Sequence, residues 1–244
     1  MNTLIALKSA IAADSDKNGI SKDNLLKIAL IPWVVILIYT VLLIIPITRD
    51  AAIWGTKENR PVELITFFFT IAGGILGLTL AWQIKQRRRS NIAFYFYLIF
   101  AIGFLFVGAE EVAWGQWFLG FETPEALENI NAQGELTLHN IDGMQERLEI
   151  LPLTFGIAGL IGVWLNQSKN MYFRQLGASY ALLPWFVIIT VVSAIDLFQD
   201  FVVIHEQFDH LINHLDEVIE MLISLAGFIY IWLNKKKFAL KCLK

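Results

Sequence analysis

The chain has 244 residues, is 56% hydrophobic and 13% aromatic, and has a mean hydropathy of +0.57 with a formal net charge of -3. That apolar share exceeds what a soluble domain carries and points to a membrane protein, while so small a net charge leaves any electrostatic preference to the placement of charges along the chain. The single cysteine, Cys242, excludes an intrachain disulfide framework and a Cys-based zinc site, so a metal would have to be held by His and carboxylates.

Residues 1–27 read as a cytoplasmic tail with room for a short amphipathic helix, because Lys8 breaks the first apolar run and Asp14, Asp16 and Lys17 follow it. A helix needs ~20 apolar residues to cross a ~30 Å hydrocarbon core. Runs of that kind place spans at about 28–47, 64–84, 91–112, 150–168 and 176–197. A sixth span, at about 214–234, has to take Glu217 and Glu220 into its first turns, since the uncharged run from Met221 to Asn234 is too short alone. Residues 235–244 remain as a basic tail. The expected fold is therefore all-α, a polytopic helical membrane protein of six spans.

Between spans three and four, Thr123 reads as a helix N-cap and Pro124 as the first helical residue, with Gly134 closing a short interfacial helix. A second short helix is expected over 144–149, and the two together would form a lid. "GGILG" (Gly73 to Gly77) and "GIAGLIG" (Gly156 to Gly162) read as small-residue faces for close helix packing. Trp33, Trp54, Trp114 and Trp117 read as interface anchors.

Orientation follows from the basic loops. "KQRRR" (Lys85 to Arg89), Lys169, Arg174, the C-terminal lysines 235, 236, 237, 241 and 244, and Lys8, Lys17, Lys22 and Lys27 all fall on one side of a six-span arrangement. The other side carries Glu122, Glu125, Glu128, Glu135, Asp142, Glu146 and Glu149, and then Asp200, Glu206 and Asp209. Both termini are thus expected in the cytoplasm of a bacterial inner membrane. The run Lys85 to Arg89 reads as a topology signal and phospholipid contact, and nucleic-acid binding is not expected.

On the outer side Glu110 and Glu111 end span three, Asp196 and Asp200 end span five, and His210, His214, Glu217 and Glu220 begin span six. Nothing comparable is expected on the inner side. At 100° per residue His210, His214, Glu217 and Met221 share a stripe, and so do Gly103, Val107, Glu110, Trp114 and Trp117. A His pair at i and i+4 can hold one metal, with His139 and a carboxylate completing a three-plus-water site for zinc or another divalent ion. Ionisable groups at this depth cost ~2.5 kcal/mol or more on insertion scales, so Glu110, Glu111, Asp196 and Glu217 are candidate catalytic or proton-binding acids. For His205, Asp209 and Asp216, capping of the helix N-terminus stands beside a functional role.

The string "EEVAWGQWFLGFETPEALENINAQGELTLHNI" (Glu110 to Ile141) resembles a signature of a family of uncharacterised bacterial multi-pass membrane proteins, E-E-x-x-W-G-Q followed by F-x-T-P-E, I-N-x-Q and L-H-N. The resemblance marks Glu110, Glu111, Trp114, Gly115, Gln116, His139 and Asn140 as family positions, and so adds Trp114, Gln116 and Asn140 to the expected pocket. A more distant similarity, through His210 and His214 alone, is to the alkaline ceramidase-like membrane hydrolases. This chain departs from them in having six spans and no upstream Ser-x-x-x-His. Two functions are expected from these features: a metal-dependent hydrolase or transferase of a lipid or lipid-linked substrate, with Glu110 or Glu111 as general base, or a small-solute or proton-coupled carrier using Glu110, Glu111 and Glu217. A membrane assembly factor is a third.

Overall fold

The computed structural model describes residues 2–57, 59–87, 90–131, 134–138, 141, 143–144, 148–199 and 206–240, with 2–6 and 206–210 described by their backbone alone. The elements run α1 (Asn2–Asn18), α2 (Lys22–Ile44), α3 (Pro46–Gly55), α4 (Pro61–Gln86), α5 (Asn91–Glu110), α6 (Gln116–Leu119), α7 (Glu125–Glu128), α8 (Ile150–Leu165), α9 (Met171–Leu176), α10 (Leu183–Gln199) and α11 (Glu206–Leu240). A left-handed turn (Ala113–Gly115) precedes α6, and a short turn of 3-10 helix (Tyr180–Leu182) precedes α10. Among the described residues the β structure is one isolated antiparallel bridge between Asn131 and Ile141.

Among the described residues four helical runs are long and apolar enough to cross a membrane: α2, α4, α5 and Tyr180–Gln199. The apolar α8 is shorter, at 16 residues, while α11 has 35. At 1.5 Å per residue α11 is ~52 Å long, more than a hydrocarbon core requires. It packs along α4 and α10, and α10 packs in turn on α8.

The glycine runs act as expected from the sequence. A methyl group on Gly74 would lie 2.6 Å from Leu105 Cγ, and one on Gly77 2.8 Å from Ala101 Cβ, so α4 and α5 approach through them in antiparallel register. Gly156 faces the Thr190 backbone at 2.9 Å in the same sense, bringing α8 onto α10.

Several boundaries differ from the sequence reading. Span one ends at Ile44, before the expected 47, because Pro46 forces Ile45 into an extended conformation (φ -76°, ψ 120°) and a separate helix α3 begins. The carbonyls orphaned at the end of α2 are taken by α3: Thr48 Oγ1 donates to Leu42 O at 2.8 Å, and Arg49 donates to Leu43 O at 2.9 Å and Ile44 O at 3.3 Å. The helix expected as span three ends at Glu110, not at 112. The helix expected as span five starts near Tyr180, not at 176, because α9 stops at Leu176 and the chain is extended at Gly177 and Ser179.

The first 27 residues are not simply a tail. α1 lays Ile11, 1% exposed, into the core, and its Asp14, also 1% exposed, accepts hydrogen bonds from Asn166 Nδ2 (2.9 Å), Ser179 Oγ (2.8 Å) and the Tyr180 amide (2.7 Å). An anion at the start of a helical run meets backbone N–H groups that have no intrahelical partner, which is favourable. Nor does the last helix end at the expected 234. α11 continues through the three lysines to Leu240, and buried Lys237 donates to Asn166 Oδ1 (3.3 Å) and Arg174 O (3.0 Å). Asn166 thus bridges Asp14 and Lys237, a polar network on the side where none was expected.

Pro32 lies inside α2 and has no N–H to give the Ile28 carbonyl one turn back. The indole of Trp185, a fully buried residue, donates to that oxygen at 2.9 Å and docks α10 on α2. Trp185→Phe should cost about 1–3 kcal/mol by leaving a buried acceptor unmet. In a Pro32→Ala background, where the helix supplies its own donor, thermal unfolding should show a smaller loss.

Candidate functional site

At the carboxylate end of the bundle, α5 finishes where α4 begins, beside Glu217 and Glu220 of α11. Along α5 the buried stripe is Ala93, Tyr97, Ala101, Phe104 and Gly108. Glu111 continues that stripe one turn beyond Gly108. The face expected from the sequence, Gly103 with Val107, instead points outward: nothing lies within 4 Å of a methyl group placed on Gly103, and Val107 is exposed. Trp114 and Trp117 do not extend any face of α5, because the helix ends at Glu110 and the chain changes hand after Val112. Ala113 (φ 45°), Trp114 (φ 55°) and Gly115 (φ 91°) are consecutive left-handed residues, of which only the glycine adopts that region without strain.

What holds this turn is Glu110. Its buried carboxylate accepts from Trp114 Nε1 through Oε1 at 2.5 Å and from the Leu138 amide through Oε2 at 2.6 Å. Gln116 repeats the pattern, accepting from the Leu136 amide (2.9 Å) and donating to Thr123 Oγ1 (2.7 Å), which donates to Gly134 O (2.7 Å). Asn131 donates to Thr137 O at 2.8 Å and accepts from the Glu135 amide at 3.3 Å. The matching positions of the signature are therefore bonded largely to their own loop, which closes over a cavity of about 270 Å³ lined by Trp114, Leu127, Leu136, Thr137 and Leu138.

The loop helix is shorter than expected. α7 is a single turn, Glu125–Glu128, and Thr123 does not cap it, since its hydroxyl is committed to Gln116 and Gly134. The second loop helix expected at 144–149 falls partly outside the described residues, although the Leu148 amide donates to Met144 O at 3.1 Å.

Glu111, half-buried, shares an electrostatic neighbourhood with Glu63, Glu217 and Glu110. Glu220, also half-buried, has Glu111, Glu217, Asp216 and Glu63 around it. Three helices contribute to this group: Glu63 from the first turn of α4, Glu111 from the end of α5, and Glu217 and Glu220 one turn apart on α11. Beneath it Val62, Val218 and Met221 pack into a buried apolar floor. Like charges gathered at an apolar boundary repel, and the repulsion is relieved by taking up a proton or a cation.

Asp196, the remaining predicted acid, sits near the end of α10 in the field of Asp216, together with Glu149. Asp216 does not cap the helix, because α11 begins ten residues earlier, at Glu206. His214 lies beside α3, with Nδ1 3.4 Å from Thr56 Oγ1. His139, Asn140 and His205 fall outside the described residues, as do the side chains of Asp209 and His210. Among the described residues no group of three His, Cys, Asp or Glu side chains is close enough together to hold a metal ion.

Two acids of the cluster were not chosen from the sequence. Glu63 reads there as an acid in the first turn of a helix behind Pro61, a position favoured by the helix dipole with no further cause. Glu220 falls in the sequence with Glu217 at the outer start of the expected sixth span, but not among the candidate catalytic or proton-binding acids. Their convergence is a property of helix packing.

Comparisons of the chain with protein-family models, with curated proteins and with solved structures find no match.

The clamp has a direct readout. Glu110→Ala removes both acceptors, each worth ~1.5–3 kcal/mol for a hydrogen bond to a charged group, so amide exchange at Leu138 should accelerate at least tenfold. Glu111→Ala should leave that amide unchanged.

Proposed function

We propose that this chain is an integral protein of a bacterial inner membrane, with α2, α4, α5, α8, α10 and α11 as six spans and both termini cytoplasmic. In this reading Glu63, Glu111, Glu217 and Glu220 form a proton-binding site of a non-enzymatic carrier, open to the extracytoplasmic side. The observation that carries it is the convergence of these carboxylates from three helices above the floor of Val62, Val218 and Met221. The basic residues at the opposite end, Lys85, Arg87, Arg174 and Lys235 to Lys237, support the orientation.

Intramembrane acids that share a site with one another mark ion or proton pathways more often than structural pairs. Glu110 belongs to the loop in this reading: both of its oxygens already accept short hydrogen bonds, which suits a positioning role better than that of a general base. Glu111 and Glu217 are then the acids that load and release.

The test is flux into proteoliposomes under an imposed pH gradient, with a trapped pH dye and with sodium or potassium as the counter-cation. The protein should conduct well above empty liposomes. Glu111→Gln and Glu217→Gln should each lower the rate by about tenfold or more, equivalent to ~1.4 kcal/mol or more at the site. A rate equal to that of empty liposomes, or variants as fast as the native protein, would sink the carrier reading.

The metal-dependent hydrolase depends on His139 and His210 joining His214. Elemental mass spectrometry of the purified protein separates the two readings. The carrier reading expects no stoichiometric transition metal. About one equivalent of zinc per chain, lost in the His210→Ala/His214→Ala protein, would favour the hydrolase instead.

A further inference from the structure

At the opposite end of the bundle, the last turns of α4 and the start of α5 enclose a groove of about 670 Å³, a volume in the range of small-molecule sites. Leu78, Trp82, Phe94 and Leu98 form its apolar walls, and Lys85 lies at its mouth. Trp82 is 59% exposed, so the groove opens sideways from the bundle and not toward its core. The Lys85 side chain lines it, and the Lys235 ammonium reaches one of its wall residues. Lys85 Nζ sits 5.3 Å over the Phe94 ring, and Lys235 Nζ reaches across from α11 to donate to Thr79 Oγ1, a wall residue, at 2.8 Å. The lining residues include no carboxylate.

We infer that this groove binds one acidic glycerophospholipid, with an acyl chain against Leu78, Trp82 and Leu98 and the phosphate between Lys85 and Lys235. Each part follows from chemistry at the groove. The walls face what would be hydrocarbon; Lys85 sits where the apolar belt of α4 ends, the depth of a headgroup, and Lys235 approaches from α11 to meet Thr79, about 9 Å further in along α4. Basic pockets between helices at a cytoplasmic surface select anionic lipids in this way. A zwitterionic headgroup would bring its own cation beside two lysines and gain less. The site is distinct from the carboxylate cluster and does not depend on carrier activity.

The full chain, purified in detergent, is unfolded thermally with added phosphatidylglycerol, with phosphatidylcholine of the same acyl chains, and with inorganic phosphate at equal concentration. Phosphatidylglycerol should raise the midpoint by several degrees more than phosphatidylcholine, phosphate alone should do nothing, and native mass spectrometry should retain one phosphatidylglycerol. In Lys85→Gln/Lys235→Gln the difference between the two lipids should disappear, and in Lys85→Arg/Lys235→Arg it should remain. Leu98→Trp fills the groove without touching either lysine and should also abolish the preference, which keeps the test decisive if the double glutamine protein fails to fold. Equal response to both lipids, a full effect of phosphate alone, or a preference that survives Leu98→Trp would overturn the assignment.

Discussion

The close approach of α4 and α5 is the contact on which the rest of the arrangement depends. Between helices surrounded by hydrocarbon, water is not being released, so association rests on packing, and packing tightens when side chains are removed from the seam. Gly74 against Leu105, Gly77 against Ala101 and Gly108 against Thr70 set one antiparallel register along the whole pair. That register has effects at both ends. It carries Glu63, two turns from Thr70, up to Glu111, one turn past Gly108. It also holds the α4 terminus beside Phe94, where the apolar groove opens.

Polar groups are confined largely to the two ends; in between, several are met locally, while the buried Ser193 hydroxyl of α10 has no hydrogen-bond partner among the described residues. Thr66 and Thr70 return their hydroxyls to carbonyls of their own helix. The carbonyl that Pro32 abandons is taken by Trp185. At the lysine end, Asp14, Asn166 and Lys237 join α1, the end of α8 and the end of α11, so three segments distant in sequence are closed by one buried network. The hydroxyls of Tyr97 and Tyr230 donate there to the Gln175 and Leu176 carbonyls at the end of α9. Buried polar groups of this kind cost stability unless all are met, which ties the fold of that end to the presence of every partner.

At the carboxylate end two adjacent acids have separate tasks because a helix terminates between them and the next element. Glu110 turns into the loop, where Trp114 and Leu138 compensate its charge with donors. Glu111 keeps the direction of the buried α5 stripe and meets other acids instead. A loop with three consecutive left-handed residues is costly to form, and the Glu110 clamp offsets that cost while it leaves Glu111 in the field of Glu63, Glu217 and Glu220. The signature residues and the cluster are thus neighbours with different physical purposes.

Much of this was legible in the residues. Hydropathy alone picks out the helical runs, because a helix is the way a single segment satisfies its backbone in lipid, and the glycine runs announce their seams. The unusual position of Glu110, Glu111 and Glu217 is visible for the same reason, since charge at the edge of an apolar run is expensive. The residues did not disclose which face of α5 is buried, because an all-apolar helix has almost no periodicity to read. Nor did they disclose that Asp14 and Lys237 pair through Asn166, that Trp185 serves Pro32, or that Glu63 and Glu220 complete the acidic group. Each of these joins segments far apart in the chain, and their proximity is set by side-chain shape at helix contacts. Composition and period determine which stretches become helices; only the packing of those helices decides which charges meet.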